Sequence, residues 1–141
     1  MDSSRYTVAI HILTLLAYMN NERLTSDFIA GSVNTNPVVI RRLLSSLLKA
    51  GFVSSQGGPG GGWKLLRSPE AISLKDVYRT VESDSLFSMH NKEPNPLCPV
   101  GRTMQKILIN HFKEAQHALE QDLEHVTIAN LVNEVSTLTS G

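Results

Sequence analysis

Cysteine is scarce in this chain, and Cys98 is its only representative. A single thiol cannot form a disulfide within the chain, nor can it alone hold a cysteine-ligated metal cluster. The core must therefore come from apolar packing, for which 141 residues are enough. This length suits one domain, or a small domain with an extension.

Long apolar runs are also absent. Polar residues interrupt every apolar stretch well before the roughly 18 residues that a membrane-spanning helix needs. The residues from Met1 to Tyr6 contain no basic segment followed by an apolar one, so we expect no signal peptide. These absences predict a cytoplasmic protein with no membrane partner.

Acidic residues are missing from one long segment, 28–69, although the whole chain has a net charge of zero. Phosphate contacts dominate DNA affinity, so an acid-free basic segment is typical of a DNA-facing surface. The alternative is a solvated basic face without a partner. The five bases of the segment are Arg41, Arg42, Lys49, Lys64 and Arg67.

The first half of the chain predicts three helices. The first runs from Tyr6 to Met19, with Val8, Ile12, Leu15 and Leu16 at helical spacing. A second, short helix follows a cap at Thr25. The third begins after the cap Asn36 with Pro37 at its first position, and it ends at Gly51. Its predicted apolar face comprises Ile40, Leu43, Leu44, Leu47 and Leu48.

Two strand-like runs, 52–56 and 63–66, flank the glycine-rich segment 57–62 and predict a β-hairpin. A hairpin directly after two helices joined by a short turn is typical of a winged helix-turn-helix. The predicted fold class is therefore mainly α with a small β-hairpin. The winged helix-turn-helix domain occupies 1–83.

The second half predicts one more short helix and one long one. Ser73 caps a helix that runs to about Glu82, and the proline-containing segment 84–99 is a linker loop. Segment 100–141 contains a long dimerisation helix to about Val126, a short helix from Thr127 and a frayed tail from Ser136. Apolar residues step by three or four along the long helix, as in a packing seam between two copies. The predicted dimerisation residues are Met104, Leu108, Phe112, Ala115, Leu119 and Leu123.

The third helix and the hairpin together predict the contacts with double-stranded DNA. A helix of this size fits the major groove, where arginine and serine side chains reach phosphates and base edges. The N-terminus of the helix favours a phosphate, and the glycine-rich tip allows a close backbone approach. The predicted DNA-binding residues are Thr35, Asn36, Val38, Arg41, Arg42, Ser45, Ser46, Lys49, Gln56, Gly58, Gly60, Gly61 and Lys64.

Several of these motifs resemble those of the Rrf-type family of bacterial winged-helix regulators. Its members include the iron–sulfur cluster regulator, the nitric-oxide-sensing repressor and the cysteine-metabolism repressor. The resemblance covers nearly the whole chain and implies a homodimeric regulator, most often a repressor, on a pseudo-palindromic operator. The matching pieces are 6–13 (YTVAIHIL), 34–51, 58–63 (GPGGGW) and 95–101 (NPLCPVG).

Two departures from the family pattern bear on function. Cluster-binding relatives carry three cysteines where this chain has only Cys98, and Gly101 replaces a histidine found in some of them. A cluster needs about four ligands, so we expect no iron–sulfur cluster and no metal. Cys98 is either a small linker residue or a redox switch whose thiol is activated at a helix start. Gly57 stands where many relatives have an arginine suited to a narrow minor groove.

Other functions have weaker support. The glycine run lacks the Lys-Ser/Thr of a nucleotide-binding loop, because Trp63 precedes Lys64. No pattern of carboxylates, or of cysteine with histidine, indicates an enzyme. His11 is interpreted as a core or boundary residue rather than a ligand. The remaining alternative is a winged-helix adaptor that binds proteins rather than DNA. The sequence identifies no small-molecule effector.

Overall fold

The computed structural model describes residues 4–82, 87, 89, 90 and 92–140. It confirms a mainly helical chain with one small hairpin. Within the described residues no helix is long and apolar enough to cross a membrane. The elements are α1 (Ser4–Tyr18), α2 (Ser26–Val33), α3 (Pro37–Lys49), β1 (Val53–Gln56), β2 (Gly62–Leu65), a 3-10 turn (Pro69–Ala71), α4 (Leu74–Val81), α5 (Pro99–Glu124) and α6 (Ile128–Thr139).

The apolar core lies between α1, α3 and the elements that cover them. On α1 the fully buried positions include Ile12 and Leu16, as predicted, whereas Val8 and Leu15 are partly buried. Met19, the predicted last residue of this helix, is partly buried and lies one residue beyond its end. On α3 the buried residues are Ile40, Leu43, Leu44 and Leu47. Leu48 was assigned to the same face and this was wrong, because its side chain is 42% exposed. The apolar stripe of α3 is therefore one position narrower than its sequence predicts.

The predicted helix caps are present. The Thr25 hydroxyl accepts a hydrogen bond from the Phe28 amide at 3.1 Å, and the Asn36 side chain accepts one from the Val38 amide at 2.8 Å. These bonds satisfy amides that have no partner inside the helix. At the other end of α3, Gly51 has a φ of 83°, and the Phe52 amide donates to the Leu47 carbonyl at 3.0 Å. This left-handed glycine terminates α3 in the way glycine commonly does.

The hairpin pairs β1 with β2 in antiparallel register, from Val53 opposite Leu65 to Gln56 opposite Gly62. A further pairing was not predicted: Leu24 and Trp63 exchange backbone hydrogen bonds of 3.0 and 2.8 Å. Gly62 has a φ of 136°, and a Cβ there would lie 2.6 Å from the Leu24 carbonyl oxygen. Only glycine lets the hairpin approach Leu24 so closely.

The last helix, α6, returns to the winged-helix core. Ile128 is fully buried, and its amide donates to the Ile72 carbonyl at 2.9 Å. Leu131 and Val132 pack against the same core. The predicted fraying from Ser136 was wrong, because α6 continues to Thr139. Leu131 and Val132 thus hold the first turns of α6 against the core, whereas residues 136–139 are helical although they are exposed.

Helix α5 has no buried residue along its 26 positions. Its C-terminal half is joined to α4: Glu120 pairs with Arg79 at 2.5 Å, and Glu124 with Lys75 at 3.8 Å. The Arg79 hydrogen bond is the main reason why the pKa of Glu120 lies below its usual value. The N-terminal half of α5 therefore presents its side chains away from the winged-helix core.

The boundaries of several elements differ slightly from those expected. α1 begins earlier, at Ser4, and α4 ends at Val81. α5 runs from Pro99 to Glu124, because Pro99 takes the first helical position that its fixed φ favours. Part of the predicted linker, namely 84–86, 88 and 91, lies outside the described residues.

We predict that Ile128→Ala lowers the free energy of unfolding by about 2–5 kcal/mol, because it leaves a cavity where α6 meets the core. Leu138→Ala on the same helix is the control. Leu138 is 84% exposed, so its loss should change stability by less than about 0.5 kcal/mol. Urea unfolding followed by circular dichroism, at one protein concentration, measures both. Equal effects would contradict the anchoring of α6 through Ile128.

Candidate nucleic-acid interface

The outer face of α3 carries most of the residues predicted to contact DNA. Val38, Arg41, Arg42, Ser45 and Lys49 are all exposed. Ser46 is half-buried, and its hydroxyl donates to the Arg42 carbonyl at 3.3 Å. Since the opposite face of α3 is fixed in the core, these side chains have a defined direction. The helix thus presents a basic and polar surface to solvent.

The N-terminus of α3 is more fully capped than a simple phosphate site would be. The Asn36 side chain bonds to the Val38 amide, and the Asn36 carbonyl accepts from the Val39 amide at 3.0 Å. The Thr35 amide donates to the Ala30 carbonyl at 3.1 Å. A phosphate placed here would meet the helix dipole rather than several free amides.

One acidic side chain adjoins the basic face, and the charge count along the sequence missed it. A carboxylate oxygen of Asp27 lies 3.8 Å from a guanidinium nitrogen of Arg41. Both side chains are largely exposed, at 80% and 56%, so the pair is screened and contributes little to stability. Asp27 directly precedes the acid-free segment, and the fold brings it back across the turn onto α3. It therefore weakens the positive potential at Arg41.

Arg5 is a basic residue that sequence reasoning did not assign to the interface. It lies at the start of α1 and lines, together with Arg42, a cavity of about 450 Å³ on the flank of α3. The remaining lining residues are Val39, Leu43 and Ser46. The basic segment was counted from residue 28 onward, so a contribution from the first helix was not considered. The fold therefore places Arg5 beside Arg42.

The hairpin, which we call the wing, projects its glycine-rich tip into solvent. Gly58 and Gly60 are exposed and have φ values of 78° and 75°, a conformation that suits glycine. Gly61 is half-buried, and its amide donates to the Gly58 carbonyl at 3.0 Å. Lys64 and Gln56 are exposed on the two strands. The tip of the wing thus exposes mainly backbone groups, and its strands expose the polar side chains of Gln56 and Lys64.

Arg67 was counted as part of the basic segment, but its interactions are structural. Its guanidinium lies 4.9 Å from the centre of the Phe52 ring. The same group donates to the Ala71 carbonyl at 2.9 Å and lies 4.0 Å from Asp76. These contacts hold the segment after the wing. The side chain of Arg67 is nevertheless 40% exposed, so part of its charge stays at the surface.

The residues predicted for dimerisation lie on α5. Met104, Leu108, Phe112, Leu119 and Leu123 are half-buried, and Ala115 is exposed. The Phe112 ring stacks on that of Phe87, with centroids 4.5 Å apart. Large apolar side chains also remain exposed on this helix, at 60% for Val100 and 47% for Ile107.

Cys98 is exposed and occupies the N-cap position of α5. The backbone N–H groups of Gly101 and, to a lesser extent, Val100 hold the pKa of the Cys98 thiol below its usual value. A Cβ on Gly101 would lie 2.5 Å from the Asn95 carbonyl oxygen, so this turn has no room for the histidine of some relatives.

The donor set does not fit an iron–sulfur cluster. Cys98 is the only cysteine of the chain. In the described part of the chain, histidine, cysteine, aspartate and glutamate nowhere form a group of three that would hold a metal. About four ligands are needed for such a cluster. The residues present therefore provide no site for an iron–sulfur cluster, and the absence of a cluster stays a prediction.

Comparison with known proteins places this geometry in a family. Residues 2–134 match the model of the Rrf2 family, described as "Iron-dependent Transcriptional regulator". YwnA of Bacillus subtilis (strain 168), provisionally named an HTH-type transcriptional regulator, is 43% identical over 134 residues, which cover 94% of this chain and 98% of YwnA. The HTH-type transcriptional regulator NsrR of Bacillus licheniformis is 28% identical over 131 residues, covering 87% and 92%.

Solved structures share the fold. A crystal structure provisionally described as a DNA binding protein superposes with a TM-score of 0.74 at 40% identity, covering 90% of this chain and 97% of that one. CymR, the global cysteine regulator of B. subtilis, has a TM-score of 0.70 at 23% identity, covering 95% and 97%. The exposed basic helix, the wing and these matches agree, and this chain belongs to the Rrf2 family of DNA-binding transcriptional regulators.

Proposed function

We propose that this regulator is a sequence-specific repressor that binds a pseudo-palindromic operator as a homodimer. The observation that carries the proposal is the division of α3 into two faces. Ile40, Leu43 and Leu44 are held in the core, while Arg41 and Arg42 are exposed on the opposite side. A helix of 13 residues is about 20 Å long, which suits insertion into the major groove.

The wing supports the same orientation. Its base is joined to Leu24, the residue two before α2, by the hydrogen bonds to Trp63. The Trp63 indole N–H also donates to the Ser26 hydroxyl at 3.2 Å. The wing and the two helices therefore keep a fixed relation, so Lys64 reaches the DNA backbone when α3 enters the groove. Phosphate contacts of this kind position a protein, and base contacts from α3 specify the sequence.

We predict that Arg41→Ala with Arg42→Ala weakens binding to the chain's own upstream DNA by at least about tenfold, since arginine contacts are worth roughly 1–3 kcal/mol each. Fluorescence anisotropy across a salt series, with excess random DNA, measures it. The parent should show a log–log salt slope of about −5 or steeper, and the variant a shallower one. Unchanged affinity would instead favour the adaptor function.

Asp27→Asn is the opposing variant in the same experiment. It removes the acid beside Arg41, so it should strengthen binding at low salt and converge with the parent at high salt. Asp122→Asn, the same charge change at an exposed position of α5, is the matched control. Weaker binding by Asp27→Asn would contradict the placement of Arg41 at the DNA.

The homodimer part of the proposal rests on α5. Its N-terminal half carries a row of apolar side chains that includes Met104 and Leu108 and that the described core does not bury. Exposed apolar surface of this extent on a long helix favours association with a second copy. If two copies of α5 cross, the two copies of α3 are related by a two-fold axis, as a two-fold-symmetric operator requires.

We predict that Met104→Glu with Leu108→Glu converts the dimer to a monomer, because charges would then replace the apolar contact. Light scattering coupled to size-exclusion chromatography gives the mass directly. Lys113→Glu is the control, since it lies about two and a half helical turns after Met104 and therefore on the opposite face of α5. A parent that is already monomeric, or a dimer in all variants, would contradict dimerisation through this face.

Thiol oxidation at Cys98 is the proposed signal. Peroxide or hypochlorite would oxidise the thiolate to a sulfenic acid, which condenses with the Cys98 thiol of the second copy to a disulfide, releasing water. Support comes from the exposure of Cys98 and from its lowered pKa, since the thiolate is the reactive form.

We predict that iodoacetamide alkylates Cys98 at lower pH in the folded protein than in urea, because the lowered pKa keeps more thiolate at a given pH. Mass spectrometry of alkylated protein across a pH series measures this difference. Cys98→Ser should also abolish any effect of peroxide on DNA binding. A serine variant that responds like the parent would exclude Cys98 as the sensor.

A further inference from the structure

A second concave surface lies away from the basic face of α3. It is a groove of about 720 Å³ between α1, α2 and α6, which we call the α6 groove. Its volume falls in the range of about 300–1,000 Å³ that is common for small-molecule sites. Neither the DNA-binding residues nor the dimerisation residues line it. The groove is therefore separate from the residues assigned to DNA binding and to dimerisation.

Most of the groove wall is apolar. Ile10 and Leu15 of α1 form one side, and Leu131, Val135 and Leu138 of α6 form the other. Val135 and Leu138 remain 37% and 84% exposed. Helix α6 thus carries more apolar surface than its packing on α1 buries. A continuous apolar surface of this kind often marks a binding site.

The polar groups of the groove define the chemistry of its occupant. The His11 Nε2 atom lies 2.9 Å from the Ser32 hydroxyl, so these two groups satisfy each other. Glu134 also lines the groove, is exposed, and takes part in none of the ion pairs of the described residues. The Tyr18 ring at the groove is 51% exposed. The groove therefore combines one carboxylate, one aromatic ring and apolar walls.

We propose that the α6 groove binds an amphipathic organic cation, a molecule with a compact apolar body and a positively charged nitrogen. The apolar walls would bury the body, which gains about 25 cal/mol for each Å² of apolar surface removed from water. Glu134 supplies the counter-charge, and the Tyr18 ring supplies a cation–π partner. An anion would be repelled by the Glu134 carboxylate, and a neutral molecule would gain no charge attraction from it.

The position of the groove links such a ligand to the DNA-binding elements. One wall belongs to α1, which packs on α3, and the other to α6, which follows α5 directly. A ligand that binds more tightly when these walls are further apart would shift α5 relative to α3. This regulatory consequence rests on the proposed function, whereas binding to the groove does not.

Rhodamine 6G is a suitable probe, because it is a fluorescent amphipathic cation. Fluorescein shares its xanthene core but is an anion, and it is the ligand control. Anisotropy of each dye is measured with the full chain in the absence of DNA. We predict saturable binding of rhodamine 6G and at least tenfold weaker binding of fluorescein. No binding of rhodamine 6G, or equal binding of both dyes, would overturn the proposal.

Two variants locate the site. Glu134→Gln should weaken rhodamine 6G binding by about tenfold, while Glu22→Gln, the same charge change at an exposed residue outside the groove, should leave it unchanged. Val135→Trp should abolish binding by filling the groove, with circular dichroism confirming the fold. Unaltered binding in both groove variants would overturn the assignment. Because no DNA is present, these results are independent of whether the chain binds an operator.

Discussion

The burial of one face of α3 is the constraint on which the other features depend. Ile40, Leu43, Leu44 and Leu47 are at most 2% exposed. Rotating the helix about its axis would take these side chains into water, at about 1.5–3 kcal/mol each. Core packing therefore determines the direction in which Arg41 and Arg42 point. A regulator built in this way can vary its outward residues without disturbing the fold that presents them.

Much of the fold follows from local sequence signals. The caps at Thr25, Asn36 and Ser73 were predictable because each capping interaction involves residues at most three positions apart. The glycine tip and the end of α3 at Gly51 were predictable for the same reason. Errors arose where tertiary contacts decide the outcome. Leu48 fits the helical period but lies outside the packed stripe. The end of α6 is a different case, because residues 136–139 are helical although they are exposed.

The same distinction between local signals and tertiary contacts applies to the candidate DNA-binding site. The basic face of α3 was predictable from periodicity, because residues on one helix keep their relative positions whatever surrounds them. Long-range proximity was not predictable. Nothing in the sequence near Arg41 indicates that Asp27 lies beside it, or that Arg5 joins Arg42 across the chain. Arg67 was counted only as a base of the acid-free segment, and its contacts with Phe52 and Asp76 depend on the path of the chain after the wing.

The burial of Ile128 has a consequence for how the chain matures on the ribosome. The core that orients α3 includes this residue of α6, which contacts elements formed from the first 80 residues. Contacts between distant parts of a chain form late, because loop closure costs entropy first. A nascent chain therefore exposes part of its core until α6 has been synthesised. A chain truncated before Ile128 would consequently lack part of the core that holds α3 in place.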